Sequence, residues 1–121
     1  MNPNSVVAQM EGGLIFGLSA ALHNGITIGD GAIEQSNFHD YRTLRINEAP
    51  AVEVLLVQGA DTPGGIGEVA TAVAAPALGN AIFAATGIRV RNPPFDRTSL
   101  ASGGAPGKTA RATPLDDRPR A

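Results

Sequence analysis

The chain has no cysteine and no tryptophan, and only 4% of its 121 residues are aromatic. Without thiols it can form no disulfide, no zinc–thiolate site and no protein-ligated iron–sulfur cluster of its own. With so few rings, any core has to be built from Val, Ile, Leu and Ala, and a hydrophobic content of 43% leads one to expect such a core. A surplus of positive charge is missing too. The net charge of −2 provides no general attraction toward nucleic acid or an anionic membrane surface, and no nucleic-acid partner is expected. Residues 1–12 lack a basic segment leading into an apolar one, so no signal peptide is expected. Every long apolar run is interrupted by Gly, Pro or Asn, so the expectation is a soluble chain without a membrane span, of open compartment, cytoplasmic or periplasmic.

Glycine and small aliphatic residues are what the chain has in quantity. At this length it holds at most one ordinary domain. An ordered body is expected over residues 1–94 and a disordered tail over 95–121. The tail carries five of the nine basic residues and too little apolar surface to order itself.

In the body, Asn2-Pro3 reads as an N-cap followed by proline at the first helical position. Val7, Met10, Leu14, Leu18, Ala21 and Leu22 then recur at helical spacing, and Asn24-Gly25 supplies a stop. Gly12, Gly13 and Gly17 fall inside that helix, where each costs about 1 kcal/mol relative to Ala, so a closely packed neighbour is expected to compensate. Ile26-Thr27-Ile28, Gly29-Asp30-Gly31 and Ala32-Ile33-Glu34 read as a short hairpin. The β-branched stretch from Val52 to Val57 reads as a strand. A second helix follows the glycine loop, with Pro76 inside its span, Gly87 as its C-cap, and apolar residues nearly all round. Ile88 to Arg91 reads as an edge strand. Strand, loop, helix and strand would form a right-handed crossover. The fold class expected is α+β, two main helices packed on a small sheet.

The chemistry concentrates at Pro63-Gly64-Gly65-Ile66-Gly67-Glu68. A glycine loop between a strand and a helix presents backbone N–H groups at a concave site. It is not a nucleotide-phosphate loop, because it ends in Glu68 where Lys-Ser/Thr would be needed, and it lacks the third glycine of the dinucleotide fingerprint. Two readings of Glu68 stay open. It complements the helix dipole, worth about 0.3–1 kcal/mol, or it is a general base on a stiff backbone, with apolar surroundings and the helix end pulling its proton affinity in opposite directions. His39-Asp40, beside Asn37 and Tyr41, lacks convergent metal-ligand spacing and reads as a hydrogen-bonded turn, so no metal ligand is expected in this chain. His23 reads as a cation or donor at a helix C-terminus.

Three blocks, in this order and spacing, carry a resemblance: Asn2-Pro3-Asn4 with Gln9-Met10-Glu11-Gly12-Gly13 and the apolar run to Leu22; Glu34 to Tyr41; and Gly64 to Glu68 with Ala75-Pro76-Ala77 and Asn80 to Gly87. Together they cover about three-quarters of the chain. It resembles the C-terminal part of the molybdopterin-binding large subunit of the xanthine oxidase family, closest to the isoquinoline oxidoreductase and aldehyde oxidoreductase beta-subunit branch. The resemblance implies that Glu68 is the active-site base, taking a proton from a metal-bound hydroxyl as an aldehyde or N-heterocycle is hydroxylated. It also implies that Gln9, Gly65, Ile66 and Gly67 lie against a molybdenum–molybdopterin cofactor, in its cytosine dinucleotide form. Iron–sulfur clusters would sit on a partner small subunit, and the remainder of the large subunit would be a further partner. Glu11 is expected to support packing or a hydrogen bond.

The sequence departs from that family in places. Its large subunits are several times longer, so a split or truncated reading frame is expected, inactive alone. After Glu68 this chain has Val-Ala-Thr-Ala where that branch has Pro-Gly-Thr-Pro. The alternative is a non-catalytic remnant or assembly module packing on a partner subunit.

Overall fold

A computed structural model describes residues 2–59, 62, 64–95 and 100. Four elements follow in chain order: α1 (Pro3–His23), β1 (Ile28–Gly29), β2 (Ala32–Ile33) and α2 (Val69–Thr86). Helix α1 begins as its sequence dictates. Asn2 is the N-cap, its side-chain oxygen accepting from the Asn4 N–H at 3.0 Å, and Pro3 opens the first turn where a missing N–H costs nothing. The helix ends at Asn24, which leaves in an extended conformation while its N–H still donates to Ala20 O. The stop is therefore made one residue before Gly25, without a left-handed glycine.

A hairpin forms where one was expected, but its turn is the two residues Asp30-Gly31, with Gly29 belonging to the first strand. Ile28 pairs with Ile33 and Gly29 with Ala32 in antiparallel register. Asp30 and Gly31 both take positive φ, 49° and 79°, the pattern of a two-residue turn whose twist matches the strands it joins. Helix α2 runs through Pro76 and ends on Gly87, left-handed at φ 72°, whose N–H donates to Phe83 O at 2.8 Å.

The packing departs from the expected layers. The two helices pack against each other and not on a sheet; among the described residues the hairpin makes only its own ladder. The seam is built from small residues one helical turn apart, Gly13 and Gly17 on α1 facing Ala70 and Ala74 on α2, with the buried Ala21 one turn further along α1. Thr71 ties it with a hydroxyl bond to Gly13 O at 2.9 Å. The neighbour that compensates for Gly13 and Gly17 is thus α2, whereas Gly12 meets nothing within 4 Å.

Val52–Val57 and Ile88–Arg91 are not strands, so the crossover is not formed among the described residues. Both stretches have the composition of strands but no described neighbour to complete a ladder. Val57 is 92% exposed and Leu55 79%. Helix α2, apolar all round, buries only its Ala70 and Ala74 side. The aliphatic core expected from composition reduces, among the described residues, to Ala21, Ala70, Ala74 and Phe95. Phe95, assigned from sequence to the tail, is buried and its N–H donates to Ala21 O at 2.7 Å. Apart from Phe95 and Leu100, the expected tail lies outside the described residues.

Both helices are long and apolar enough to cross a bilayer by length and composition, although glycines and Pro76 interrupt their apolar runs. Those two properties alone do not separate a membrane span from a helix covered by other protein.

Candidate functional site

The helix seam sets the first turn of α2 beside the amino-terminal half of α1, and a groove of about 450 Å³ opens between them. Gln9, Gly12 and Phe16 line it from α1, and Gly67, Glu68 and Thr71 from the start of α2. Gln9 Nε2 donates to Gly67 O at 3.0 Å, a bond between residues 58 apart in sequence. This contact holds the glycine loop against α1 and leaves the Gln9 side-chain oxygen available as an acceptor.

Glu68 occupies the N-cap position of α2 with helical backbone angles, φ −118° and ψ −5°, and its backbone carbonyl accepts the first helical bond, from Ala72 N at 3.1 Å. Its side chain makes no capping hydrogen bond. The carboxylate is exposed in the groove wall and is not consumed in ending the helix. A general dipole interaction remains available to it at that position.

Glycine is usually retained because a side chain would clash or because φ is positive. Neither reason applies at Gly64, Gly65 or Gly67. A Cβ at any of them would meet nothing within 4 Å, and none takes a positive φ. Gly12, on the facing helix, is equally open. The described residues thus leave bare backbone on both sides of the groove mouth, with a carboxamide and a carboxylate between. This is a donor and acceptor set suited to a bulky polar group approaching closely. Among the described residues no three His, Asp or Glu side chains converge as a metal site.

Of the residues singled out in the sequence, Gln9, Gly67 and Glu68 are brought together. Gly65 and Ile66 lie just upstream in the loop and do not line the groove. Glu11 is half-buried and makes no side-chain hydrogen bond among the described residues. Gly12, Phe16 and Thr71 were not foreseen as lining. Gly12 left a signal, being a helix-interior glycine that the helix seam does not explain.

The second polar cluster is structural. The Asp40 carboxylate accepts from Ser36 N at 2.8 Å, Ser36 Oγ at 3.1 Å and Asn37 N at 3.0 Å. These bonds, the Ser36 and Asn37 N–H groups foremost, lower its pKa to about 2. His39 lies 3.6 Å from Asp40 and is exposed, as befits a turn. Nearby, Glu48 accepts from Arg45 N at 3.0 Å and pairs with Arg42, and the Arg45 bond chiefly holds its carboxyl below the usual range.

No protein-family model matches the chain. It is 40% identical over 108 residues to the isoquinoline 1-oxidoreductase subunit beta of Brevundimonas diminuta, an alignment covering 89% of this chain and 14% of that one. Over 94 residues it is 37% identical to the membrane-bound aldehyde dehydrogenase (pyrroloquinoline-quinone) of Gluconacetobacter polyoxogenes, covering 78% and 12%. Over 108 residues it is 28% identical to the aldehyde oxidoreductase molybdenum-binding subunit PaoC of Escherichia coli K12, covering 83% and 15%. The chain therefore spans about one-seventh or less of the length of these relatives.

Proposed function

We propose that this chain, which belongs to the xanthine oxidase family of molybdenum hydroxylases as the counterpart of one part of their large subunit, supplies the proton-accepting carboxylate of the active site through Glu68. The observation that carries the reading is the bare glycine backbone at Gly65 and Gly67, required by neither packing nor φ, ending in a carboxylate with no capping bond.

When bound, a molybdenum–molybdopterin group supplies the two-electron oxidising centre that hydroxylates an aldehyde or an electron-poor carbon of an N-heterocycle with oxygen derived from water. The chain's own residues do the rest. The backbone of Gly65 to Gly67 lets that group approach to van der Waals contact. Gln9 is oriented by its bond to Gly67 O and offers its side-chain oxygen to a donor on the group. A Glu68 carboxylate oxygen receives the proton released as water oxygen is delivered to the substrate, and afterwards returns it to solvent through the open groove. Phe16, apolar and exposed, forms part of the same groove wall as that carboxylate.

The proposal extends to a cytosine dinucleotide form of the cofactor, to the remainder of the large subunit as the partner completing the site, and to iron–sulfur clusters on a small subunit. One carboxylate without a held cofactor is no catalyst, so the chain alone is inactive. A second reading, an assembly module without catalysis, draws on the apolar side chains that α2 and the 52–57 stretch leave uncovered.

The test is metal and cofactor analysis of the complex co-purified with this chain, followed by Glu68→Gln. The expected result is molybdenum and pterin at near one per chain, with turnover lowered about 10²–10⁴-fold in the variant and cofactor content unchanged. Pyrroloquinoline quinone in place of the pterin would overturn the cofactor assignment. An unaltered rate in the variant would overturn the role of Glu68, and a complex without either cofactor would leave the assembly reading.

A further inference from the structure

Between the middle of α2 and the segment that follows the helix lies a second groove, of about 370 Å³, that the reading above does not use. Its floor is apolar, formed by Ala75, Gly79 and the buried Phe95 ring, and its rim carries Asn80, Arg89 and Arg91. From these residues we infer that the groove binds an oxyanion borne on an apolar body, a carboxylate or phosphate at the rim with hydrocarbon or an aromatic ring on the floor.

Three observations support the assignment. The Arg89 guanidinium carbon lies 3.9 Å from the centroid of the Phe83 ring, so the planar group is oriented by stacking while its N–H edges remain free to donate. Neither Arg89 nor Arg91 has a carboxylate in salt-bridge range among the described residues, whereas Arg42 is paired with Glu48. Two guanidiniums on one groove are also a local feature in a chain of net charge −2. The C-terminal carbonyls of α2 would oppose an anion, although that of Phe83, the first of the last four, is already engaged. Phe83 O accepts from Gly87 N, and Ile82 O accepts from the Thr86 hydroxyl at 2.7 Å. Asn80, nearly two helical turns before the end of α2, adds a neutral amide donor. The floor owes its shape to Gly79, where a Cβ would stand 3.8 Å from both the Phe95 ring and Val90 O.

The probes are sodium benzoate, which carries a carboxylate on an apolar ring, and inorganic phosphate, which has no apolar body. Each is titrated into the full chain at constant ionic strength while the side-chain N–H signals of Arg89, Arg91 and Asn80 are followed by NMR. Saturable shifts of all three with benzoate are expected, with half-saturation at least about tenfold weaker in Arg89→Lys, which keeps the charge and loses the fork. Weaker or absent phosphate binding would assign the floor a part in recognition; equal phosphate affinity would overturn the apolar component. Shifts that rise linearly without saturation, or a half-saturation unchanged in Arg89→Gln/Arg91→Gln, would overturn the site. Failure here leaves the Glu68 assignment untouched, because the two grooves share no lining residue.

Discussion

Gly17 and Ala74 stand so close across the helix seam that a Cβ placed on Gly17 would lie 2.6 Å from the Ala74 methyl and 2.7 Å from Thr71 O. Neither obstacle is the flexible end of a long side chain. Gly17→Ala therefore forces the helices apart, and overpacking of this kind costs about 1–3 kcal/mol, more than the roughly 1 kcal/mol that alanine gains in helix propensity. Gly12→Ala, with nothing within 4 Å, keeps the propensity gain. Thermal unfolding of the two variants is expected to move in opposite directions, and a Gly17→Ala chain as stable as the parent would contradict the seam.

The Gln9–Gly67 bond ties the glycine loop to α1. Gln9→Ala removes an exposed hydrogen bond worth about 0.5–1.5 kcal/mol, so the loss is local. Amide exchange over residues 64–68 is expected to accelerate several-fold while the seam residues Gly13 and Ala74 keep their protection. Equal acceleration at both places would show that Gln9 supports the whole helix pair.

Gly65→Ala/Gly67→Ala separates folding from binding. The added methyl groups meet no described neighbour and require no positive φ, so stability stays level or rises by about 0.4–1 kcal/mol through the unfolded state. The Gly67 methyl would obstruct close approach within the groove and the Gly65 methyl the loop just upstream of it, and molybdenum and pterin content of the assembled complex is expected to fall at least about tenfold. Full cofactor content in the double variant would remove the main support for the cofactor-facing loop.

The turn from Ser36 to Asp40 has a defined response to acid. Asp40 is held at about 2 against an ordinary 3.8, first by the Ser36 N–H and then by that of Asn37. A carboxylate whose folded pKa is depressed adds stability that is full above the unfolded value and is lost as pH falls through the folded one. The Ser36 and Asn37 amide shifts are expected to hold constant down to about pH 4 and to collapse toward pH 2. Asp40→Asn should show the collapsed shifts at neutral pH. A midpoint near 4 in the parent would mean that the bonds do not hold in solution.

Local chemistry was legible in the sequence and non-local pairing was not. Asn2, Pro3 and Gly87 act within a few residues of themselves, and the Asp30-Gly31 turn needs only its own backbone, so caps and hairpin follow from the letters. Glu68 was visible as an acid after glycines and Gln9 through the family resemblance, and the structure brings both to one groove, where Gln9 bonds Gly67 O. Val52–Val57 shows the limit. β-branched composition says that a segment suits a sheet, but a ladder needs a second strand, and none stands beside it among the described residues. The expected aliphatic core failed for the same reason. Ile46, 97% exposed, and Leu55 are apolar without a described surface to meet, and composition cannot state where that surface is.

A seam of glycines and alanines has no rotamers to choose among, so it forms without loss of side-chain entropy and without slack. Its spacing is fixed by backbone meeting backbone, as a gauge block sets a gap. Gln9 sits one turn before Gly13, and Glu68 directly precedes the turn that carries Ala70. A slip of one turn along the seam would carry one past the other by about 5.4 Å. The mutual placement of amide and carboxylate is thus a machining tolerance of the helix pair, set at positions such as Gly17 and Ala74 that do not line the groove.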